Sequence, residues 1–106
     1  MPRSGIVMAR IIEYAVKLAT GLIKAEDEDP GFSRVTLTAI RNVSSQLVTE
    51  KKGLPRCGLC GKGPFTKKGL YLHLLRIHLD DIRLMIEDET TRILNARKFE
   101  LSREPK

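Results

Sequence analysis

Tryptophan is absent from this chain, and phenylalanine and tyrosine raise the aromatic share only to 5%. Any core must therefore be aliphatic. Long apolar runs are missing as well. The most apolar stretch, from Ile6 to Ile23, is interrupted at helical intervals by Arg10, Glu13 and Lys17. Three charges in a bilayer are costly, so the stretch reads as an amphipathic helix and no membrane association is expected. No small-residue cleavage site of a secretory signal follows it. Cysteine and histidine are scarce, at two each. The expected compartment is the cytoplasm, or the nucleus in a eukaryotic cell, and two thiols in a reducing compartment suit a metal better than a disulfide.

What is present bounds the chain to one domain, or to a small domain beside a stapled one. Its 106 residues allow a modest core, and 42% hydrophobic residues are too many for wholesale disorder. Met8, Ile11, Ile12, Ala15, Leu18, Ala19, Leu22 and Ile23 fall on one stripe, which predicts a helix over 6–24. The acidic run Glu26-Asp27-Glu28-Asp29 then meets Pro30-Gly31 in a turn. It lacks the later ligands and closing glutamate of a calcium loop. Ser33 caps a second helix over 34–50, with Leu37, Ile40, Val43 or Ser44, Leu47 and Val48 facing the first, although its threonines and valines also suit a strand. The expected product is an antiparallel helical hairpin in a domain spanning 1–50. Two helices alone bury little surface, so the hairpin must pack on the C-terminal segment or on a second copy. A homodimer through residues 6–50 is the expectation.

Lys51-Lys52-Gly53-Leu54-Pro55 reads as a linker, and every cysteine and histidine of the chain follows within 22 residues, as Cys57-x2-Cys60-x12-His73-x4-His78. Cys-x2-Cys is the spacing of a tight turn that presents two thiolates to one ion. The twelve intervening residues accommodate a return strand and two turns of helix, from which both histidines project. Two sulfurs and two nitrogens with no open position point to one structural zinc ion, and the set is electrically neutral. Residues five apart on a straight helix diverge by about 140°. The helix is therefore expected to loosen or break between Leu74 and His78, after which Asp80 or Asp81 starts another helix through Ile82, Met85, Ile86 and Ile93; with no glycine or proline between Leu70 and Glu104, a bent but continuous helix is the alternative. The stretch 92–101 is open to either helix or strand. If one ion takes all four residues, no cysteine or histidine remains as base or nucleophile, so catalysis is not expected.

The four-ligand pattern, with Leu70 three residues before His73, resembles the Cys2His2 zinc-finger family over residues 54–78, a quarter of the chain, and single-finger proteins of this size are similar to those of archaea and their viruses. The resemblance implies a small ββα finger. Phe65 stands one residue after the family's aromatic position, and Pro55 stands where an aromatic precedes the first cysteine. The expected architecture is mainly α, with the N-terminal helical hairpin, a finger domain at 51–80 and a C-terminal helical extension at 81–106.

Charge suggests the partner. Lys51, Lys52, Arg56, Lys62, Lys67, Lys68 and Arg76 lie between residues 51 and 78 without a single acid, whereas 79–90 carries five acids and one arginine. A basic zinc module suits phosphate, which points to DNA (or RNA) and to transcription regulation. By the family's alignment the base-facing positions fall at Thr66, Gly69 and Leu72, with Lys68 nearby, so backbone contacts are expected to outweigh base readout. The competing expectation is a protein-interaction module whose exposed Leu72, Leu75 and Leu79 form the surface.

Overall fold

Pro2 suits the first position of a helix, since its missing N–H has no intrahelical partner there, and α1 runs Pro2–Thr20. The computed structural model of the chain describes residues 2–24 and 31–103, with side chains described at 7–24 and 31–97. The acidic turn expected at Glu26 to Pro30 lies outside the described residues. α1 ends four residues earlier than the apolar stripe suggests. Gly21 donates to the Leu18 carbonyl and Leu22 to that of Lys17, which is the double bond of a Schellman stop.

α2 spans Arg34–Leu47, and its cap is the expected one: the Ser33 hydroxyl accepts from the Thr36 N–H at 3.2 Å. The helix does not continue to Glu50. At Val48 and Thr49 the β-branched side chains favour extended backbone, and the chain enters β1 (Val48–Lys51). Lys52 and Gly53, with φ of 57° and 78°, turn it directly into β2 (Leu54–Cys57). The strands pair antiparallel in the register Val48 with Cys57 and Lys51 with Leu54. Positive φ at both turn residues matches the twist of a two-residue hairpin. The stretch expected as a linker is therefore a β-turn.

α3 (Lys67–Ile77) and α4 (Leu79–Arg103) complete the described elements. The stretch 92–101 is helix. Both strands come before the Cys57–Cys60 turn, β2 ending on Cys57 itself, which corrects the expected return strand between Cys60 and α3. In its place the 62–65 segment runs back along β2 with two backbone bonds, Cys57 N–H to Lys62 and Phe65 N–H to Pro55, both 2.9 Å. Pro64, between them, has no N–H to extend the ladder. The architecture is mainly helical, with one small two-stranded antiparallel sheet.

One aliphatic core joins all of these elements. Ile11, Ile12, Tyr14, Ala15 and Val16 of α1 meet Ile40, Val43 and Leu47 of α2, Cys57 of β2, Leu70 and Leu74 of α3, and Ile82 and Ile86 of α4. Tyr14 and Val16 lie off the expected stripe. They are buried because α1 is flanked by α2 on one side and by α3 and α4 on another. The apolar faces of the first two helices are thus covered within the chain, which removes the burial argument for a homodimer. Polar ties cross the same contacts: Tyr71 donates to Glu13 at 3.3 Å, and Asn42 donates to Glu89 at 2.6 Å. Arg92, pairing with Glu89, joins the Asn42 side chain in holding the Glu89 carboxyl below its ordinary range.

Because the core crosses every element, truncating it at one point should weaken the whole. Ile40, fully buried, is the sharpest probe. Ile40→Ala should cost about 2–5 kcal/mol. Helical circular dichroism and NMR signals from 54–78 should be lost in one shared denaturant transition. Two separated transitions would contradict a common core.

Candidate metal centre

The first half of the site is a turn clamped against α2. Cys57 closes β2 and is fully buried, and the Gly61 N–H returns to its carbonyl at 2.9 Å. Gly58 lies so close to the end of α2 that its N–H donates to Leu47 at 2.8 Å. A Cβ at this position would stand 2.3 Å from the Gln46 carbonyl oxygen, so only glycine allows the approach. The Leu59 N–H points at the Cys57 sulfur, 3.4 Å away. Arg56 braces the other side of the loop, donating to the Gly63 carbonyl at 3.1 Å.

The second half comes from α3 and its end. Thr66 caps α3 by accepting from the Gly69 N–H at 3.0 Å, which fixes where the helix starts and where His73 emerges. Phe65 stacks on the His73 ring, centroid to centroid 4.8 Å, and so supports the imidazole from one face. His78 is the residue between the two helices, with φ of −115° and ψ of 21°. The helix loosens there, as the five-residue histidine spacing requires. The His78 N–H still reaches Leu74 and its carbonyl already accepts from Ile82, so the break is confined to one residue.

These elements bring the four expected ligands together. One sulfur or ring nitrogen from each of Cys57, Cys60, His73 and His78 lies within 4.8 Å of the other three. The Cys60 sulfur and His73 Nε2 are 3.4 Å apart. His78 Nδ1 is engaged by the Asp81 carboxylate at 3.0 Å, while its Nε2 is buried with no hydrogen-bond partner among the described residues. A buried ring nitrogen without a partner is costly unless a cation or donor takes its lone pair. The carboxylate fixes the tautomer that leaves that lone pair free. The cluster can bind a metal.

Electrostatics divide the two thiols. Burial pushes Cys57 up, whereas Cys60 is lowered to about 6, chiefly by the Lys62 backbone N–H and then by the His78 and His73 rings. Cys60 therefore supplies a thiolate near neutrality, and Cys57 must surrender a proton to a metal. At His78 burial opposes the charged ring, but the Asp81 hydrogen bond and the neighbouring Cys60 outweigh it and raise the imidazole.

The residues expected to contact nucleic acid are dispersed among different tasks. Lys51, Lys52, Lys62, Lys68 and Arg76 are exposed. Lys67 is exposed too, with its stem running past Gly21 at the end of α1. Arg56 is half-buried on the loop, and the Thr66 hydroxyl is occupied as the cap. Asp81 was expected only as a helix starter; its place three residues after a candidate ligand histidine, across a helix break, was the signal of its second task.

No protein-family model, curated protein or solved structure matches the chain. No described helix is long and apolar enough to cross a membrane.

The contact between Asp81 and His78 makes a specific prediction. Asp81→Ala should lower metal affinity about 10–100-fold, the usual effect of losing a carboxylate behind a ligand histidine. Competition against a chromophoric chelator measures it. Helical content in the metal-loaded state should be unchanged, and an unaltered affinity would show that the carboxylate does not orient the ring.

Proposed function

We propose that Cys57, Cys60, His73 and His78 hold one structural zinc ion, and that the stapled unit binds DNA through its phosphates as a small regulator. The carrying observation is the convergence of all four scarce ligands on one point, with the His78 Nε2 buried and unpartnered. Zinc with two sulfurs at about 2.3 Å and two nitrogens at about 2.0 Å separates its ligand atoms by about 3.3–3.8 Å. The cluster sits within about 1.5 Å of that spacing, a difference that side-chain rotation closes. Zinc supplies a fixed tetrahedral knot and no reaction.

Supporting the likeness to a Cys2His2 finger are the ligand order, the buried Leu70 and a helix that delivers the first histidine. The hairpin ends on Cys57 and no strand follows Cys60 among the described residues, which departs from that pattern, so the proposal is a finger-like module fused to a helical core. DNA is favoured by the seven cations of 51–78, six of which are exposed. Thr66, used as a cap, and Gly69 contribute little to base readout, which leaves phosphate contact as the source of affinity.

A second reading is favoured by one observation. Ile77 is 64% exposed, and Leu79 and Leu84, at 45% and 49%, continue on the start of α4. Such side chains suit a protein partner. Of the leucines expected for that surface, only Leu79 is exposed; Leu72 is half-buried and Leu75 packs on the core.

Titration of the zinc-loaded protein against duplex DNA over a salt series separates the readings. Lys67→Ala with Lys68→Ala should weaken binding to all sequences alike and flatten the log–log salt slope by up to about 1.8, or 0.9 for each lost phosphate contact. Ile77→Ser with Leu79→Ser should leave DNA binding intact. If the zinc-loaded protein fails to bind DNA even at low salt while these apolar substitutions abolish capture of a protein partner, the second reading replaces the first.

A further inference from the structure

A second basic surface lies on the helical pair, away from the sequence window that carries the metal ligands. Phe32, Arg34, Leu37, Thr38 and Arg41 line a groove of about 570 Å³. The Arg10 guanidinium, from α1, sits over the Phe32 ring with its carbon 5.5 Å from the centroid, and Tyr14 holds the ring edge-on at 5.8 Å. Phe32 thus holds an arginine of α1 and also lines the groove that carries Arg34 and Arg41 of α2.

Like the cations of 51–78, and unlike those paired elsewhere, these arginines meet no carboxylate among the described residues. Lys17 pairs with Glu13, Arg83 with Asp80 and Glu87, and Arg92 with Glu89. Arg10, Arg34 and Arg41 have no carboxylate partner among the described residues, and all three are exposed. Arg34 and Arg41 are seven residues apart, which places them on one face of α2, about 10.5 Å apart along the axis. That spacing is too wide for one small anion to satisfy both and suits successive groups of a polyanion. Arginine also binds phosphate through a planar fork of donors that water screens less than a lysine ammonium.

We infer that the groove lined by Phe32, Arg34 and Arg41, with Arg10 held beside it on the Phe32 ring, is a second phosphate-binding surface for duplex DNA. It deepens and rests on the DNA-binding function proposed above. It answers a specific difficulty there, since a lone finger covers only about three base pairs. The helical pair supplies the additional backbone contacts that such a module needs, and it does so within one chain. Like the lysines of the finger, the arginines carry no base preference, so the groove adds affinity and registers the protein on the duplex.

The test uses the full-length, zinc-loaded protein and a nonspecific duplex over a salt series. Arg10→Gln, Arg34→Gln and Arg41→Gln combined should flatten the log–log salt slope by about 2.7, three contacts at 0.9 each. Metal content and helical circular dichroism should remain those of the parent. If the triple variant misfolds, Arg34→Gln and Arg41→Gln taken singly, both at exposed positions, should each remove about 0.9. An unchanged slope in these variants, alongside a flattened one for the Lys67 and Lys68 variant, would overturn the groove and leave the finger contacts standing. That outcome is also the one expected if the acidic run Glu26 to Asp29, three to six residues before Phe32, neutralises the groove. The reverse pattern would support the groove and remove the finger contacts. Absence of DNA binding by the parent protein at low salt, or arginine-dependent binding to anionic lipid vesicles in place of DNA, would overturn the proposal.

Discussion

Four side chains on three separate pieces of backbone must reach one point, and much of the local structure is arranged to let them. Cys57 and Cys60 require a turn tight enough that Gly58 touches the end of α2. His73 requires α3 to start at Thr66. His78 requires that the same helix stop one residue before it and a new one begin one residue after. The glycine and the broken helix are local costs, while the Thr66 cap is a gain. The proposed structural zinc ion would contribute on the order of 10–16 kcal/mol at neutral pH, enough to offset those costs. The buried Cys57 also belongs to the aliphatic core, so the proposed metal knot and the helical packing are one structure.

The aliphatic core reaches only part of the longest helix. α4 is 25 residues long, about 37 Å at 1.5 Å per residue. Only its first turns are anchored, by Ile82 and Ile86 in the core and by Glu89 on Asn42. Beyond that point the helix leaves the body, and its described side chains from Thr91 to Arg97 are exposed apart from the half-buried Ile93. The acids at its start serve local purposes: Asp81 orients His78, and Asp80 and Glu87 flank Arg83. The asymmetry between an all-basic 51–78 and an acidic 79–90 therefore has a structural component on its acidic side, while the cations of 51–78 meet no carboxylate among the described residues.

The sequence made some of this plain. Four ligands in one window, the Ser33 cap, the buried Leu70 and the helix break before α4 all follow from spacing and local chemistry. So does the mainly helical class. Some of the missed features depend on contacts between distant segments and others on local turns. Val48 continues the helical spacing of Ile40, Val43 and Leu47, and pairing with β2 makes Val48 to Lys51 a strand. Lys52-Gly53 is not among the strongest turn signals, so the hairpin read as a linker. Tyr14 and Val16 look solvent-facing on a two-helix model and are buried once α3 and α4 pack on α1. Asp81 looked like a cap because its partner, His78, is placed by a helix break. The arginine groove was invisible for the same reason, since Phe32 joins residues of two helices.

The central claim is that one ion joins both halves of the site. X-ray absorption at the zinc edge, on protein loaded with one equivalent and dialysed, tests it most directly. Two sulfurs at about 2.3 Å and two nitrogens at about 2.0–2.1 Å are expected, with no oxygen in the shell. A shell with fewer than two sulfurs, an oxygen-dominated shell, or zinc lost on dialysis would contradict the account.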